Sequence, residues 1–131
     1  HYSSRRQRQM CIRDRLGGGA ITVTASIAGL IPWTPDPIYS MTKWAVVGLV
    51  RASAGSLRRK NITINAVCPG GVATPMTRVF DGSVPSGMAD PSHIAKAHLG
   101  IAFSGNSGRV IKAVAGYAHS PHQFADVTNT F

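Results

Sequence analysis

No glutamate occurs anywhere in the 131 residues, and the five aspartates are set against fourteen lysines and arginines. Cysteine is scarce as well. Cys11 and Cys68 exclude a disulfide framework, and a reduced, cytoplasmic setting is the default expectation. No apolar run reaches the roughly 18 residues that a helical membrane span needs. No apolar h-region stands near the start, which excludes a secretory signal of the usual kind. The histidines His93, His98, His119 and His122 show no metal-ligand spacing. His93 and His98 are five apart, off a single helical face, and read as solvated surface groups.

What is present begins with charge. The formal net charge is +9, a value that would suit a nucleic-acid binder, but its distribution argues otherwise. Five arginines (Arg5, Arg6, Arg8, Arg13, Arg15) crowd into the first fifteen residues beside the single acid Asp14. The remainder has no interleaving of aromatic and basic residues and no DNA-reading motif. The leader "HYSSRRQRQMCIRDR" also reads, codon for codon from Arg5 to Asp14, as one frame of a common transposase sequencing adapter. Residues 1–15 are therefore set aside as an artefactual or disordered leader, and residues 16–131 are taken as one partial domain.

Apolar residues make up 44% of the chain, enough for a core. "GGGAITVTAS" is a glycine cluster followed by alternating β-branched residues, and predicts a strand from about Ala20 to Ala25. Ile21 and Val23 point one way, Thr22 and Thr24 the other. A loop with Gly29, Pro32, Pro35 and Pro37 follows. Asp36 before Pro37 marks a helix start, because aspartate caps free amides and proline suits the first helical position. That helix should run to about Arg59, where Arg58, Arg59 and Lys60 suit the dipole. It is apolar around much of its circumference, so one face should lie on a sheet while another needs a further layer or a second subunit. Trp33 and Trp44 read as packing groups, with Trp33 a candidate lining for a substrate pocket. "NITINAV" alternates again and predicts a second strand ending at "CPGG". Strand, helix, strand at this length is a parallel βαβ unit. A loop over Arg78–Ala89, a helix over Pro91–Phe103 capped by Asp90, and a strand near residues 109–114 complete the pattern. The stretch after Ala115 shows little periodicity and is expected to be irregular.

Tyr39 and Lys43 stand four apart and share a helix face. A free phenol ionises near pH 10, too high for a good base at neutral pH, and a neighbouring ammonium favours the phenolate. Such a phenol can give a proton to a carbonyl oxygen or take one from an alcohol. Tyr-x-x-x-Lys alone is common on helices. Ser26 adds weight: it follows the first strand, at the end where open α/β sheets place ligands, thirteen residues before Tyr39. A hydroxyl there can bond a substrate oxygen as charge develops on it. The "PGG" at 69–71 taken alone is a plain surface turn.

Taken in order, "TASIAG", "YSMTK" and "INAVCPGGVATP" resemble the short-chain dehydrogenase/reductase superfamily in its compact branch. The match falls at Ser26, Tyr39, Lys43, Asn65, Val67, Pro69, Gly70, Val72 and Thr74, and covers roughly residues 17–114. The resemblance implies the C-terminal half of a doubly wound, parallel-sheet, Rossmann-type α/β domain. It implies an NAD(P)-dependent oxidoreductase interconverting an alcohol and a ketone or aldehyde. Tyr39 would be the general acid/base. Lys43 would favour its phenolate and hold the nicotinamide ribose, and Ser26 would orient the substrate oxygen. Pro69 would end the strand, Gly70 and Gly71 would admit the cofactor closely, and Val72 with Thr74 would hold the carboxamide. NAD and NADP are equally compatible, and no metal is implied.

Several family features are missing. No Thr-Gly-x-x-x-Gly-x-Gly turn exists to cradle a pyrophosphate, since the glycines of "LGGGA" precede a strand rather than open a helix. The Asn-Asn-Ala-Gly strand end, the catalytic asparagine and the residue that chooses NAD or NADP lie in the half of the domain that the resemblance does not reach. "KAVAGYAH" stands where an Asp-Gly-Gly is usual. The alternatives are an inactive fragment of such an enzyme, or a nucleotide-sugar epimerase or dehydratase on the same fold. That branch commonly sets its serine and tyrosine further apart, so a spacing of thirteen favours the compact one. The implied partners are a small alcohol or carbonyl substrate and, at full length, a homodimer or homotetramer, with neither nucleic acid nor membrane. Substrate choice would lie in the loop around Met76–Met88.

Overall fold

The computed structural model describes residues 17–77, 85–115 and 124–126. The basic leader, most of the loop after Thr77, His119 and His122 lie outside them.

Strand β1 (Gly19–Thr24) pairs in parallel with β2 (Ile62–Pro69), and β2 pairs in parallel with β3 (Val110–Ala113). The first crossover is α1 (Pro37–Arg58) and the second is α2 (Pro91–Phe103). Both helices open as their Asp-Pro pairs require. The Asp36 carboxylate accepts from the Tyr39 amide at 2.8 Å and the Asp90 carboxylate from the Ser92 amide at 2.7 Å. Helix α1 ends where Asn61 turns left-handed at φ 56°, a conformation asparagine tolerates better than most residues.

Residue parity along β2 separates two cores. Ile62, Ile64, Ala66 and Cys68 pack with Val47, Val50 and Leu57 of α1, while Val67 packs with Ala113 of β3 and with Ile94, Ala97 and Ile101 of α2. Helices thus cover both faces, and the doubly wound α/β architecture expected from the sequence is present. Asn65 is the polar member of the buried strand. It is fully buried, its amide donates to the Asn106 carbonyl at 2.8 Å, and its oxygen accepts from the Arg109 amide at 3.0 Å. The motif asparagine therefore ties the turn before β3 to the strand beside it.

The structure corrects three expectations. The chain after Ala115 is not wholly irregular, because β4 (Phe124–Asp126) pairs antiparallel with β3 at the edge of the otherwise parallel sheet. A three-residue strand is too short for alternation to show in sequence, and the outer backbone groups of β3 offer it partners. The second apolar face of α1, expected to need a further layer or a second subunit, carries no layer among the described residues and leaves Ile38, Met41, Trp44 and Leu49 exposed, which leaves the subunit alternative standing. A single sheet covers a single face. Trp33 is likewise exposed rather than packed in the core. Finally, His98 is not simply solvated. Its Nε2 shares a 3.0 Å hydrogen bond with the Thr24 hydroxyl, and burial holds its ring below the usual histidine range.

Replacing Asn65 by alanine strips partners from two backbone groups at once. The expected loss is about 2–4 kcal/mol, on the scale for unpaired buried donors and acceptors. A urea midpoint for Asn65→Ala equal to that of the parent would show that water replaces both bonds.

Candidate functional site

The parallel register places the C-terminal ends of β1 and β2 side by side, and the Ala25 amide extends the pairing by donating to the Val67 carbonyl at 2.7 Å. Beyond Ala25 the chain enters a short 3-10 turn (Ile27–Gly29) that Ser26 caps. Ser26 is buried, and its Oγ accepts from the Ala28 amide at 3.1 Å. That bond fixes the rotamer and leaves the hydroxyl proton free to be donated elsewhere, since a serine hydroxyl is one donor with two acceptor sites.

Helix α1 starts against this turn. Tyr39 lies in its first turn and keeps 38% of its surface exposed. The Lys43 ammonium stands 5.4 Å from the centroid of the Tyr39 ring. The turn and the helix touch through glycine: a Cβ on Gly29 would come within 2.7 Å of the Lys43 carbonyl oxygen and 2.8 Å of its carbon. Only a residue without a side chain permits this approach. Cys68, at the end of β2, senses the same corner. Burial pushes its thiol up to about 11, against smaller opposing effects from the Ser26 backbone and the Lys43 charge. Ser26, Tyr39 and Lys43 are therefore gathered where β1 ends, α1 begins and β2 ends.

The loop after β2 meets this corner. Pro69 closes the strand, and the Gly70 amide donates to the Ala113 carbonyl at 2.9 Å. Gly71 and Ala73 bracket Val72 in a parallel bridge to Ala89, the Ala89 amide donating to Gly71 and the Ala73 amide to Ala89, each at 2.9 Å. In such a bridge the groups of the central residue face the other way. The Val72 carbonyl accepts from the Thr77 hydroxyl at 2.6 Å, and the same oxygen of Thr77 receives the Thr74 amide at 3.1 Å. The loop that the sequence marks through Pro69, Gly70, Gly71, Val72 and Thr74 is thus braced from behind by residues that no sequence motif singled out.

A nicotinamide nucleoside fits this donor set. Lys43 carries three N–H donors suited to a ribose diol, and Val72 offers main-chain groups suited to a carboxamide. The pyrophosphate finds no such cradle among the described residues. Both helices open on proline, which has no N–H, next to a capping aspartate that repels anions.

One group, Ser40, escaped sequence reasoning, and Trp33, a candidate pocket lining from the sequence, can be placed. Ser40 is buried beside Tyr39, its hydroxyl donating to the Ala28 carbonyl at 2.7 Å and accepting from the Trp33 amide at 3.2 Å. A serine directly after Tyr39, in the first turn of the helix, was the available signal. Trp33 lines a cleft of about 330 Å³ with Pro32, Pro37, Ser40, Met41 and Trp44. Met41 is turned by about 200° from Tyr39 around the helix, and the lining includes none of Ser26, Tyr39 and Lys43. Trp33 thus borders a different face of α1 from that trio.

Comparison with known proteins agrees with the geometry. Residues 6–83 match the short chain dehydrogenase family, a match whose first residues fall in the basic leader. The trans-4-hydroxycyclohexanecarboxylate dehydrogenase of Sinomonas cyclohexanicum is 43% identical over 77 residues, which are 56% of this chain and 29% of that protein. Among solved structures, ElxO with NADP bound superposes with a TM-score of 0.74 at 26% identity, over 87% of this chain and 52% of that one. Acetoin dehydrogenase YohF from Salmonella typhimurium gives 0.70 at 25% identity, over 89% and 51%. The chain spans about half the length of these structures and less than a third of the curated relative.

The raised Cys68 thiol has a consequence for stability. Above its ordinary value of 9.0 an unfolded thiol gives up its proton, while the folded one keeps it until about 11. Folded stability should therefore fall as pH rises through that window, by up to roughly 1.4 kcal/mol per unit. Urea melts between pH 8 and 11 should show this slope in a Cys11→Ser background and lose it in Cys11→Ser/Cys68→Ala; equal slopes would assign the effect elsewhere.

Proposed function

This chain belongs to the short chain dehydrogenase family, and from that premise we propose that it carries the catalytic half of an NAD(P)-dependent oxidoreductase interconverting an alcohol and a ketone or aldehyde. What supports the proposal is the Lys43 ammonium 5.4 Å from the Tyr39 ring centroid, on a helix that packs against the turn Ser26 caps, with the three residues at the family's spacing. NADP in the solved relative and a hydroxyl substrate in the name of the curated one support the cofactor and the substrate class.

In the reducing direction Tyr39 gives its phenolic proton to the substrate oxygen, and in the oxidising direction it takes the alcohol proton. Ser26 donates a hydrogen bond to the same oxygen, with its own acceptor side already held by Ala28. Lys43 brings positive charge to the ring where negative charge appears when the proton leaves. When bound, a nicotinamide dinucleotide would supply the hydride in the reducing direction and accept it in the oxidising one. Lys43 and the Val72 backbone orient it, and the glycines at 70 and 71 let the strand end turn there.

With no pyrophosphate cradle among its described residues, this chain should bind a dinucleotide poorly alone, so the proposed activity belongs to the full-length enzyme. In that enzyme, Tyr39→Phe should lower turnover at least about a hundredfold, the usual weight of a positioned acid/base, and leave NAD(P)H affinity largely unchanged. The 131-residue chain titrated alone should bind the same cofactor far more weakly. Turnover in Tyr39→Phe close to the parent's would remove Tyr39 from its role, and tight cofactor binding by the chain alone would remove the fragment reading.

The exposed apolar face of α1 favours a second subunit over solvent. The full-length protein is expected to sediment as a homodimer or homotetramer at micromolar concentration; a monomer would end that expectation.

A further inference from the structure

The catalytic reading needs the Ser26 hydroxyl and the Tyr39 phenol at a fixed separation, yet they sit on different elements joined by a loop rich in proline. We propose that Ser40 is the positioning residue that sets this separation, with Gly29 as the surface that lets it act. The inference rests on the oxidoreductase reading for its catalytic meaning.

A connected set of hydrogen bonds links the two groups. Ser40 is the residue after Tyr39, so its Cα moves with the helix turn that presents the phenol. Its hydroxyl donates to the Ala28 carbonyl at 2.7 Å. Ala28 in turn donates its own amide to Ser26 Oγ at 3.1 Å. One residue of the 3-10 turn is thus held from the helix on one side and holds the serine hydroxyl on the other. The Trp33 amide, donating to Ser40 Oγ at 3.2 Å, ties the far end of the loop to the same atom. Gly29, the next residue, lies against the Lys43 backbone where a Cβ would be 2.7 Å from the carbonyl oxygen. The turn is therefore pulled down by Ser40 and stopped by the helix backbone at Lys43. A pull and a stop together define a distance, which a hydrophobic contact at the same place would not.

Burial makes the arrangement consequential. Ser40 is 7% exposed and Ala28 2%, so when the hydroxyl is removed the Ala28 carbonyl loses its side-chain partner and would have to rise toward the water of the adjoining cleft to find another. The Ser26 hydroxyl would rise with it. The Ser40 site also borders the cleft of about 330 Å³, which leaves room for one added methyl.

Cys68 reports the seating of the turn, since it is fully buried beneath the corner and senses both the Ser26 backbone and Lys43. In a Cys11→Ser background of this chain, labelling of Cys68 by a neutral disulfide reagent at pH 8 is compared between variants. Ser40→Ala should label about tenfold faster than the parent, the weight of one lost buried hydrogen bond. Ser107→Ala is the control. It removes a similar bond, from the Ile64 amide at 3.1 Å, away from the corner. Its labelling should exceed the parent's only by what its global stability accounts for. Ser40→Thr, which keeps the hydroxyl, should restore slow labelling. In the full-length enzyme, Ser40→Ala should lower kcat about tenfold while KM for the cofactor stays within about twofold, and Ser40→Thr should recover kcat. Labelling of Ser40→Ala no faster than that of Ser107→Ala at matched stability would overturn the proposal, as would an unchanged kcat. A full-length parent inactive toward every alcohol and carbonyl, with fast labelling in Ser40→Ala, would instead sink the oxidoreductase reading and leave the seating role standing.

Discussion

The parallel pairing of β1 with β2 is the constraint on which the remaining structure depends. Because both strands run the same way, they finish at the same edge, and everything that follows each of them must start there. The 3-10 turn after β1 and the Pro-Gly-Gly loop after β2 are therefore neighbours in space although they lie far apart along the chain. Helix α1 must return the chain to the other end of the sheet, so its first turn lies over the same edge. An antiparallel pairing would have set the serine turn and the glycine loop at opposite ends, and no choice of side chains would have brought them together.

Within that frame, the corner is built largely from backbone contacts. The Ser26 hydroxyl is held by an amide, the turn by a carbonyl, and the helix approach by a glycine that has no side chain to interfere. Rigid backbone supports suit the proposed site, in which two hydroxyl groups would face one small oxygen, because orientation errors of about an ångström weaken such stabilisation. On the opposite face of the sheet, α2 packs on apolar residues and His98 reaches the Thr24 hydroxyl at the end of β1. The same strand end is thereby fixed from both sides.

Much of this is legible in the amino-acid sequence. Asp36-Pro37 and Asp90-Pro91 announce helix starts because capping and the missing proline N–H act within a few residues, and both helices begin at those prolines. The alternation in β1 and β2 reports their faces for the same local reason. The family resemblance rests on three separated motifs in order, and the match over residues 6–83 bears it out. Less legible are the three residues of β4, the exposure of Trp33, and the partners of His98 and Ser40. Each depends on what lies across space rather than along the chain.

The sequence by itself determined where helices and strands begin, which residues face inward along β1 and β2, and that Ser26, Tyr39 and Lys43 stand at a spacing one fold can exploit. These are matters of local sterics, capping and period. The tertiary structure alone decided that Ser40 joins the turn to the helix, that Gly29 rests on the Lys43 backbone, and that Asn65 serves a neighbouring turn rather than a ligand. Those roles arise from contacts between segments many residues apart. A hydroxyl or a missing Cβ carries no mark in the sequence of which distant carbonyl it will meet.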